Sequence, residues 1–263
     1  MNGLTTINVE LTSRCNKNCW MCGRRKIERE HPEFCNYGDM PFKMVKQIAE
    51  QLPSDILVQF HWNGEPLLYP RLDDALRLFS DNIRQLDTNG KLLVKKADEI
   101  IDNLDVITIS VFQGDDEAEE QGLIAMAFLD IKEERRPRIV YRLLGEVSPY
   151  YVLFWKDMPG IVVTRTLHKA MGSFGYEKPV TIPETGICLE ILNHLAIDRF
   201  GNVSPCVRFD PYGLNILGNL KDLSLEEIWN GKKRKDWMQK HIDGKRNEVP
   251  LCKACDYWGV PIG

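Results

Sequence analysis

No apolar run in the 263 residues approaches the ~18 that a membrane-spanning helix needs, which argues against a membrane partner. The N-terminus has neither the charged start nor the apolar stretch of a secretory signal. In "MNGLTTINVEL", Ile7, Val9 and Leu11 alternate with polar residues, the period of a half-buried strand. Positive charge is in short supply: 34 Lys and Arg stand against 38 Asp and Glu, a net charge of -4. That excludes the basic face which nucleic acid or an anionic membrane would require. The one basic cluster, "KKRK" at Lys232 to Lys235, reads as the solvated face of an amphipathic helix. Histidine is sparse, with five residues, and there is neither an internal repeat nor a low-complexity segment. These absences describe a cytoplasmic protein long enough for one sizeable domain plus a small appendage.

What the chain does have is cysteine. The eight residues are Cys15, Cys19, Cys22, Cys35, Cys188, Cys206, Cys252 and Cys255, a division into three, one and four. In a reducing compartment, clustered thiols bind metal more often than they form disulfides.

From residue 5 to about 165, short β-branched runs alternate with helical patterns. "TTINVEL", "ILVQFHW", "IRQLDT", "DVITISVF", "RIVYRLL" and "GIVVTRTL" read as six strands. The segments "PFKMVKQIAEQL", "RLDDALRLFSDNI", "VKKADEIIDNL" and "AEEQGLIAMAFLDIKEE" read as helices between them. Such repetition predicts an α/β fold, a parallel sheet with helical crossovers. Six units fall short of the eight in a closed barrel, so the expectation is an open, partial (β/α)6 barrel of the TIM type. Residues 145–160, "GEVSPYYVLFWKDMPG", are too short and too aromatic to read as a further helix. Residues 169–187, rich in Gly, Pro and Thr, read as a linker or a loop over the active site. Beyond them "CLEILNHLAIDRFGNVSPCVRFD" reads as a hairpin turning at "DRFGN". "SLEEIWNGKKRKDWMQKHI" reads as one helix opened by a capping box of Ser224 and Glu227. The expected units are residues 1–170, the barrel, and residues 171–263, the linker and a small C-terminal appendage.

The first three cysteines follow directly on a strand, in the loop where α/β folds place their ligands. Zinc would want a fourth ligand, for which Cys35 and His31 are the nearby options. A four-iron cluster can instead be held by three thiolates, leaving one iron open to a small chelating ligand. The C-terminal quartet could close either a zinc site or a second cluster. Cys35 is either a small buried hydrophobe or a thiol at the mouth of the site.

The spacing of Cys15, Cys19 and Cys22 with Met21 before the third resembles the CxxxCxΦC motif of the radical S-adenosylmethionine (SAM) superfamily. Methionine stands here where an aromatic residue is usual. The family's fold is a partial six-unit barrel. In "HWNGEPLLYP", Asn63, Gly64, Glu65 and Pro66 resemble its GGEP motif, with Asn63 in place of the first glycine; the resemblance implies that this turn holds the amino group of SAM. Asn89, in "DTNGKLL", matches the segment ending the third strand. Ser110, Gln113 and Arg142 match positions that contact the ribose and carboxylate of SAM. The pattern "C…GNVSPC…LGNL…SLEEIW…CKAC", with Cys188, Cys206, Cys252 and Cys255, resembles the shortened SPASM or twitch appendage, a β-hairpin plus helix, which implies an auxiliary [4Fe–4S] cluster without an open iron.

The resemblance implies one [4Fe–4S] cluster that binds SAM and an electron from flavodoxin or ferredoxin. It also implies a 5′-deoxyadenosyl radical that abstracts a substrate hydrogen. The expected reaction is oxidation of an alcohol in a small polar substrate, sugar- or cyclitol-like, with electron transfer to the auxiliary cluster. Redox-neutral epimerisation, which needs a hydrogen donor such as Cys35, and modification of a ribosomal peptide are the alternatives. The barrel starts at residue 5, which leaves no room for an N-terminal peptide-recognition domain and weighs against the peptide. Arg165 and His168, at the end of the sixth strand, are placed to meet substrate. His61, His194, His241 and His31 read as packing or solvent residues.

Overall fold

The computed structural model describes residues 1–167, 187–208, 210–253 and 255. His168 and residues 169–186 of the expected linker lie outside the described residues. Nine strands form one sheet: β1 (Thr6–Val9), β2 (Leu57–Phe60), β3 (Ile83–Thr88), β4 (Val106–Phe112), β5 (Arg138–Leu144), β6 (Ile161–Arg165), β7 (His194–Ile197), β8 (Asn202–Ser204) and β9 (Gly218–Asn219). Their order is β6-β5-β4-β3-β2-β1-β7-β8-β9, and among the described residues β6 and β9 do not pair to close the sheet, so the barrel is open. All pairs from β6 to β7 are parallel. The turn at "DRFGN" makes β8, and then β9, antiparallel. Because β7 pairs with β1 in register Thr6↔His194, the C-terminal hairpin extends the barrel sheet.

Period-two alternation sorts each strand into two faces. Ile7, Val9, Val58, Phe60, Ile107, Ile109 and Tyr141 are fully buried in one core with helical residues such as Val45, Ile48, Leu72 and Phe128. Each such side chain contributes about 1.5–3 kcal/mol relative to exposure. The opposite parity is polar: Asn8 and Glu10 from β1 onward, Gln59 and His61, Gln85 and Asp87, Thr108 and Ser110, Arg142. These residues form the barrel interior.

Three local expectations are corrected. Residues Pro149–Lys156 form a helix, opened by Ser148, whose side chain accepts from the Tyr151 N–H, with Pro149 in the first turn. Its buried Trp155 packs on Tyr141 at 4.8 Å, a contact outside any local pattern. The helix expected from Ser224 is two, Leu225–Trp229 and Lys232–Ile242; the capping box is present. The break falls at Gly231, where a Cβ would lie 3.0 Å from the carbonyl oxygens of Glu227 and Ile228. Finally, "KKRK" is not wholly a solvated face. Arg234 is 5% exposed, stacks 3.4 Å over the Trp229 ring and donates to the carbonyls of Ile191 and Leu192.

Candidate active site

The cysteine loop leaves β1 through Leu11 to Arg14, a stretch fixed on both sides. The Ser13 N–H and Thr12 Oγ1 donate to the Gly38 carbonyl at 2.9 and 3.2 Å. On the other side lies the turn after β2. A Cβ on Gly64 would fall 2.0 Å from the Thr12 carbonyl oxygen, so this backbone approach excludes any side chain. The Glu65 N–H donates to the Arg14 carbonyl at 2.8 Å. Pro66, buried, begins a short 3-10 turn, Pro66–Leu68.

Cys15, Cys19, Met21 and Cys22 follow, all half-buried. Burial, then the neighbouring Cys22, pushes the Cys19 thiol up to about 12; burial also raises Cys15. Cys15 and Cys19 thus resist ionisation alone, and a cationic centre would convert such thiols to thiolates. The loop is tied to the ends of β3 and β4. Asn89 Nδ2 donates to Asn16 Oδ1 at 2.8 Å, and Lys17 Nζ lies 3.0 Å from Asp115 and 2.9 Å from Glu117. The Lys17 side chain is only 6% exposed.

Glu65 is itself 2% exposed. Its carboxylate accepts from Thr88 Oγ1 and the Asn89 N–H, both at 2.8 Å, and from the Leu67 N–H at 3.1 Å. Burial raises it to about 7 against those donors. Three of roughly four acceptor positions on a carboxylate are thus used within the protein, joining the loops after β2 and β3.

Inside the barrel, Arg142 donates to Asp87 at 2.5 Å, and His61 Nε2 stands 3.8 Å from the same carboxylate. Burial raises Asp87, but His61 and Arg142 outweigh it and hold the carboxyl below its ordinary value. Arg165 shares the Arg142 face of the sheet, and its charge acts on His61 and Glu190. A polar path continues downward: Asn8 Oδ1 is 2.6 Å from His194 Nε2, and His194 Nδ1 is 2.9 Å from Glu190.

Two clefts flank the cysteine loop. One, of about 700 Å³, is lined by Lys17, Cys19, Trp20, Gln113, Leu144 and Leu167. Gln113 exchanges hydrogen bonds with Ser148, at 3.0 Å through side chains and 2.6 Å to the Ser148 N–H. Ser110 is half-buried on β4, its carbonyl accepting from Gln121. The second cleft, of about 450 Å³, is lined by Glu10, Arg24, Tyr37, Trp62, Asn63 and Arg199, among others. Glu10 is 5% exposed and accepts from the N–H groups of Asn63 at 3.3 Å and Arg199 at 3.2 Å. Burial raises its carboxyl to about 7. Cys35 is half-buried rather than in the core, and its thiol meets the Tyr37 hydroxyl.

The four remaining cysteines converge from separate elements. Cys188 caps the helix Leu189–Asn193, Cys206 follows β8, Cys252 lies in the helix Pro250–Lys253, and Cys255 follows it. All four line one small cavity, together with Glu190, Arg208, His241 and Leu251. Asn215 Nδ2 donates to Cys206 Sγ at 3.2 Å, and Arg246 donates to the carbonyls of Cys252 and Cys255 at 2.6 and 2.8 Å. Burial, then Cys255 and Cys188, pushes the Cys252 thiol up to about 12, and burial raises Cys206 as well. Among the described residues, no three of His, Cys, Asp and Glu are grouped for a single metal ion.

Lys17, Asn16, Glu10 and Arg246 were not legible as site residues. Only Glu10 carried a local signal, a charge on the interior parity of β1.

A three-thiol loop above a polar, open barrel, with a separate four-thiol cavity, defines a class of protein. Residues 9–143, half of the chain, match the radical SAM superfamily, and residues 188–256 match the SPASM iron–sulfur cluster-binding domain. The chain belongs to the radical SAM superfamily. Among curated proteins it is 25% identical over 258 residues to the S-adenosyl-L-methionine-dependent 2-deoxy-scyllo-inosamine dehydrogenase of Niallia circulans, covering 95% of this chain and 92% of that one. The structure of BtrN in complex with AdoMet and 2-DOIA superposes with a TM-score of 0.61 at 22% identity, covering 96% of this chain and 93% of that one. Streptococcus suis SuiB bound to S-adenosylmethionine gives 0.58 at 15% identity, covering 98% and 73%. These two likenesses speak to the fold. The chain is thus an oxidoreductase of the radical SAM class whose cofactors are SAM, a [4Fe–4S] cluster and an auxiliary iron–sulfur cluster. Among the described residues, no helix is long and apolar enough to cross a membrane.

Proposed function

We propose that this enzyme oxidises an alcohol of a small polar, cyclitol- or sugar-like substrate to a ketone. The observation that carries this reading is the barrel interior. Hydrogen-bonding and charged side chains, from Glu10 through Asn8, His61, Asp87 and Arg142 to His194 and Glu190, run between the two sets of thiols. The buried Trp62 Nε1 on the Glu10 cleft has no hydrogen-bond partner among the described residues, and Arg24 Nε there has only the Glu28 carboxylate at 3.9 Å, as befits a cleft that takes a polyhydroxylated ligand. The similarity to a 2-deoxy-scyllo-inosamine dehydrogenase along nearly the whole chain supports the same chemistry.

Cys15, Cys19 and Cys22 would hold the first cluster, and Cys188, Cys206, Cys252 and Cys255 the second; with SAM bound these groups would supply hydrogen-atom abstraction from carbon and an acceptor for the remaining electron. The turn Asn63–Pro66 and Asn89 hold the amino-acid end of SAM. The cleft with Met21 at its loop, Gln113 and Ser110 receives the nucleoside. Arg165 orients substrate beside the Arg142–Asp87 pair, and Glu10, with its carboxyl near 7, takes the hydroxyl proton. Residues 1–170 and 171–263 are the barrel and cluster-binding units, and flavodoxin or ferredoxin is the electron donor.

A second reading, redox-neutral epimerisation, is favoured by one contact: the Cys35 thiol meets Tyr37, which lines the Glu10 cleft. The deciding experiment is anaerobic reconstitution with an aminocyclitol panel. About eight irons per chain, two clusters of four, are expected. Release of 5′-deoxyadenosine equimolar with ketone supports oxidation; an inverted carbinol without net oxidation, lost in Cys35→Ala, supports epimerisation.

A further inference from the structure

The cavity shared by Cys188, Cys206, Cys252 and Cys255 is also lined by Glu190, Arg208 and His241, and Glu190 is paired with His194 at 2.9 Å. Arg246 is committed to the carbonyls of Cys252 and Cys255. Asn215 already donates to Cys206 Sγ. His241 is unaccounted for. It is 3% exposed, on the buried face of the helix Lys232–Ile242 that also carries Arg234 and Trp237. Both of its ring nitrogens lack a hydrogen-bond partner among the described residues, and the ring lines this cavity. A buried imidazole without a partner is costly, and buried polar groups in folded proteins are nearly always paired. The cavity wall it faces offers the Glu190 carboxylate, already paired with His194, the Arg208 cation, which is no acceptor, and the four thiols with whatever they hold.

We infer that His241 donates a hydrogen bond to a sulfur of the auxiliary cluster and thereby raises that cluster's reduction potential. An imidazole carries at least one N–H in either protonation state, so the donor is present throughout. Iron–sulfur potentials depend on hydrogen bonds to the sulfurs, and a donor favours the more negatively charged, reduced cluster. That direction suits a centre whose task is to take an electron from a substrate radical. His241 is a positioning and tuning residue: it touches neither substrate nor SAM.

The inference rests on the assignment of the four cysteines as ligands, and iron analysis tests that separately. Redox titration of the full-length holoenzyme by electron paramagnetic resonance, with SAM present to displace the signal of the SAM-binding cluster, reads the auxiliary midpoint directly. In His241→Leu the ratio of reduced to oxidised cluster at a fixed potential should fall about tenfold, a midpoint lowered by about 59 mV for one electron. His241→Gln, which keeps a donor, should recover most of the shift. In the wild-type enzyme grown with 15N-histidine, the reduced auxiliary cluster should show a histidine nitrogen coupling. An unchanged midpoint in a fully loaded His241→Leu protein overturns the inference. So does the absence of that coupling in the wild type, which decides the matter if the Leu variant loses iron. Wild-type protein reconstituting with only about four irons overturns the ligand assignment itself.

Discussion

The two cysteine sets differ in how the chain builds them. Cys15, Cys19 and Cys22 lie in one loop, half-buried and beside a cleft of about 700 Å³. Polar ties hold that loop: Asn16 to Asn89, Lys17 to Asp115 and Glu117, Arg14 to Asp39. The other four come from separate elements and are clamped by packing, with Cys252 against the cluster of Ile191, Trp237 and Val249. The first set opens to a cleft through which a small chelating ligand could enter and leave, and the second lines a small cavity with its own four thiols. Under the function proposed above, three donors on one loop would serve exchange and four donors from separate elements would serve electron storage.

The largest effect should come from breaking one set and sparing the other. Cys19→Ser should bring 5′-deoxyadenosine release to background while about four irons remain in the auxiliary site. Cys206→Ser should do the reverse, keeping SAM cleavage and losing ketone. Iron content and the two products, measured on the same preparations, check the division; equal loss of both activities in both variants would merge the sites. Next in size is Gly64→Ala. Its Cβ would meet the Thr12 carbonyl oxygen at 2.0 Å, and backbone on both sides cannot swing away as a side chain would. A loss of about 3 kcal/mol of stability, read by thermal or urea unfolding, is expected, with weakened SAM binding. A neutral change would show that the two turns do not pack as described.

Glu10→Gln comes third. Removing a general base costs at least about 10²-fold, here in ketone formation with SAM cleavage far less affected. The sign with pH follows from the raised carboxyl: it is protonated and idle below about 7 and becomes a base above it, so the wild-type rate should climb through that value. The Gln variant should be flat across the same range. A wild-type profile without that rise would remove Glu10 from the reaction.

The sequence carried the site unevenly. The six barrel strands and the three-thiol loop were readable because their determinants are local, period-two alternation and donors within eight positions; the pairing of β7 with β1, which joins the expected appendage to the barrel sheet, was not. The hairpin and the Ser224 capping box were readable for the same reason. Long-range pairings left no such trace. Lys17 carries no local signal, since its partners Asp115 and Glu117 are brought to it only by the end of β4. Arg234 looked solvated in "KKRK" until Trp229 and the Ile191 carbonyl were in place. The helix Pro149–Lys156 was hidden by its aromatic content, although Ser148 and Pro149 were a usable start signal. Glu65 was legible as a site residue but not in its detail, since the Thr88 and Asn89 bonds depend on β3 lying beside β2.

The smallest of the four effects sharpens the contrast between a loop held by charge and a site held by packing. Lys17→Met keeps the length and apolar stem of the side chain and removes only the ammonium that joins the cysteine loop to Asp115 and Glu117. Glu117 retains Lys91 at 2.5 Å, so one carboxylate stays paired and Asp115 loses its partner. Both carboxylates are partly exposed, which screens the loss to about 1 kcal/mol. That is about a fivefold rise in the KM for SAM, because the cysteine loop would sit less firmly against the end of β4. Raising the salt concentration should weaken SAM binding in the wild type more than in the variant, since only the wild type has the Lys17 ion pairs to screen. The auxiliary cluster's iron and midpoint should stay unchanged under both treatments. A salt response shared by both sites, or absent from both, would mean that polar ties and core packing do not divide the molecule in this way.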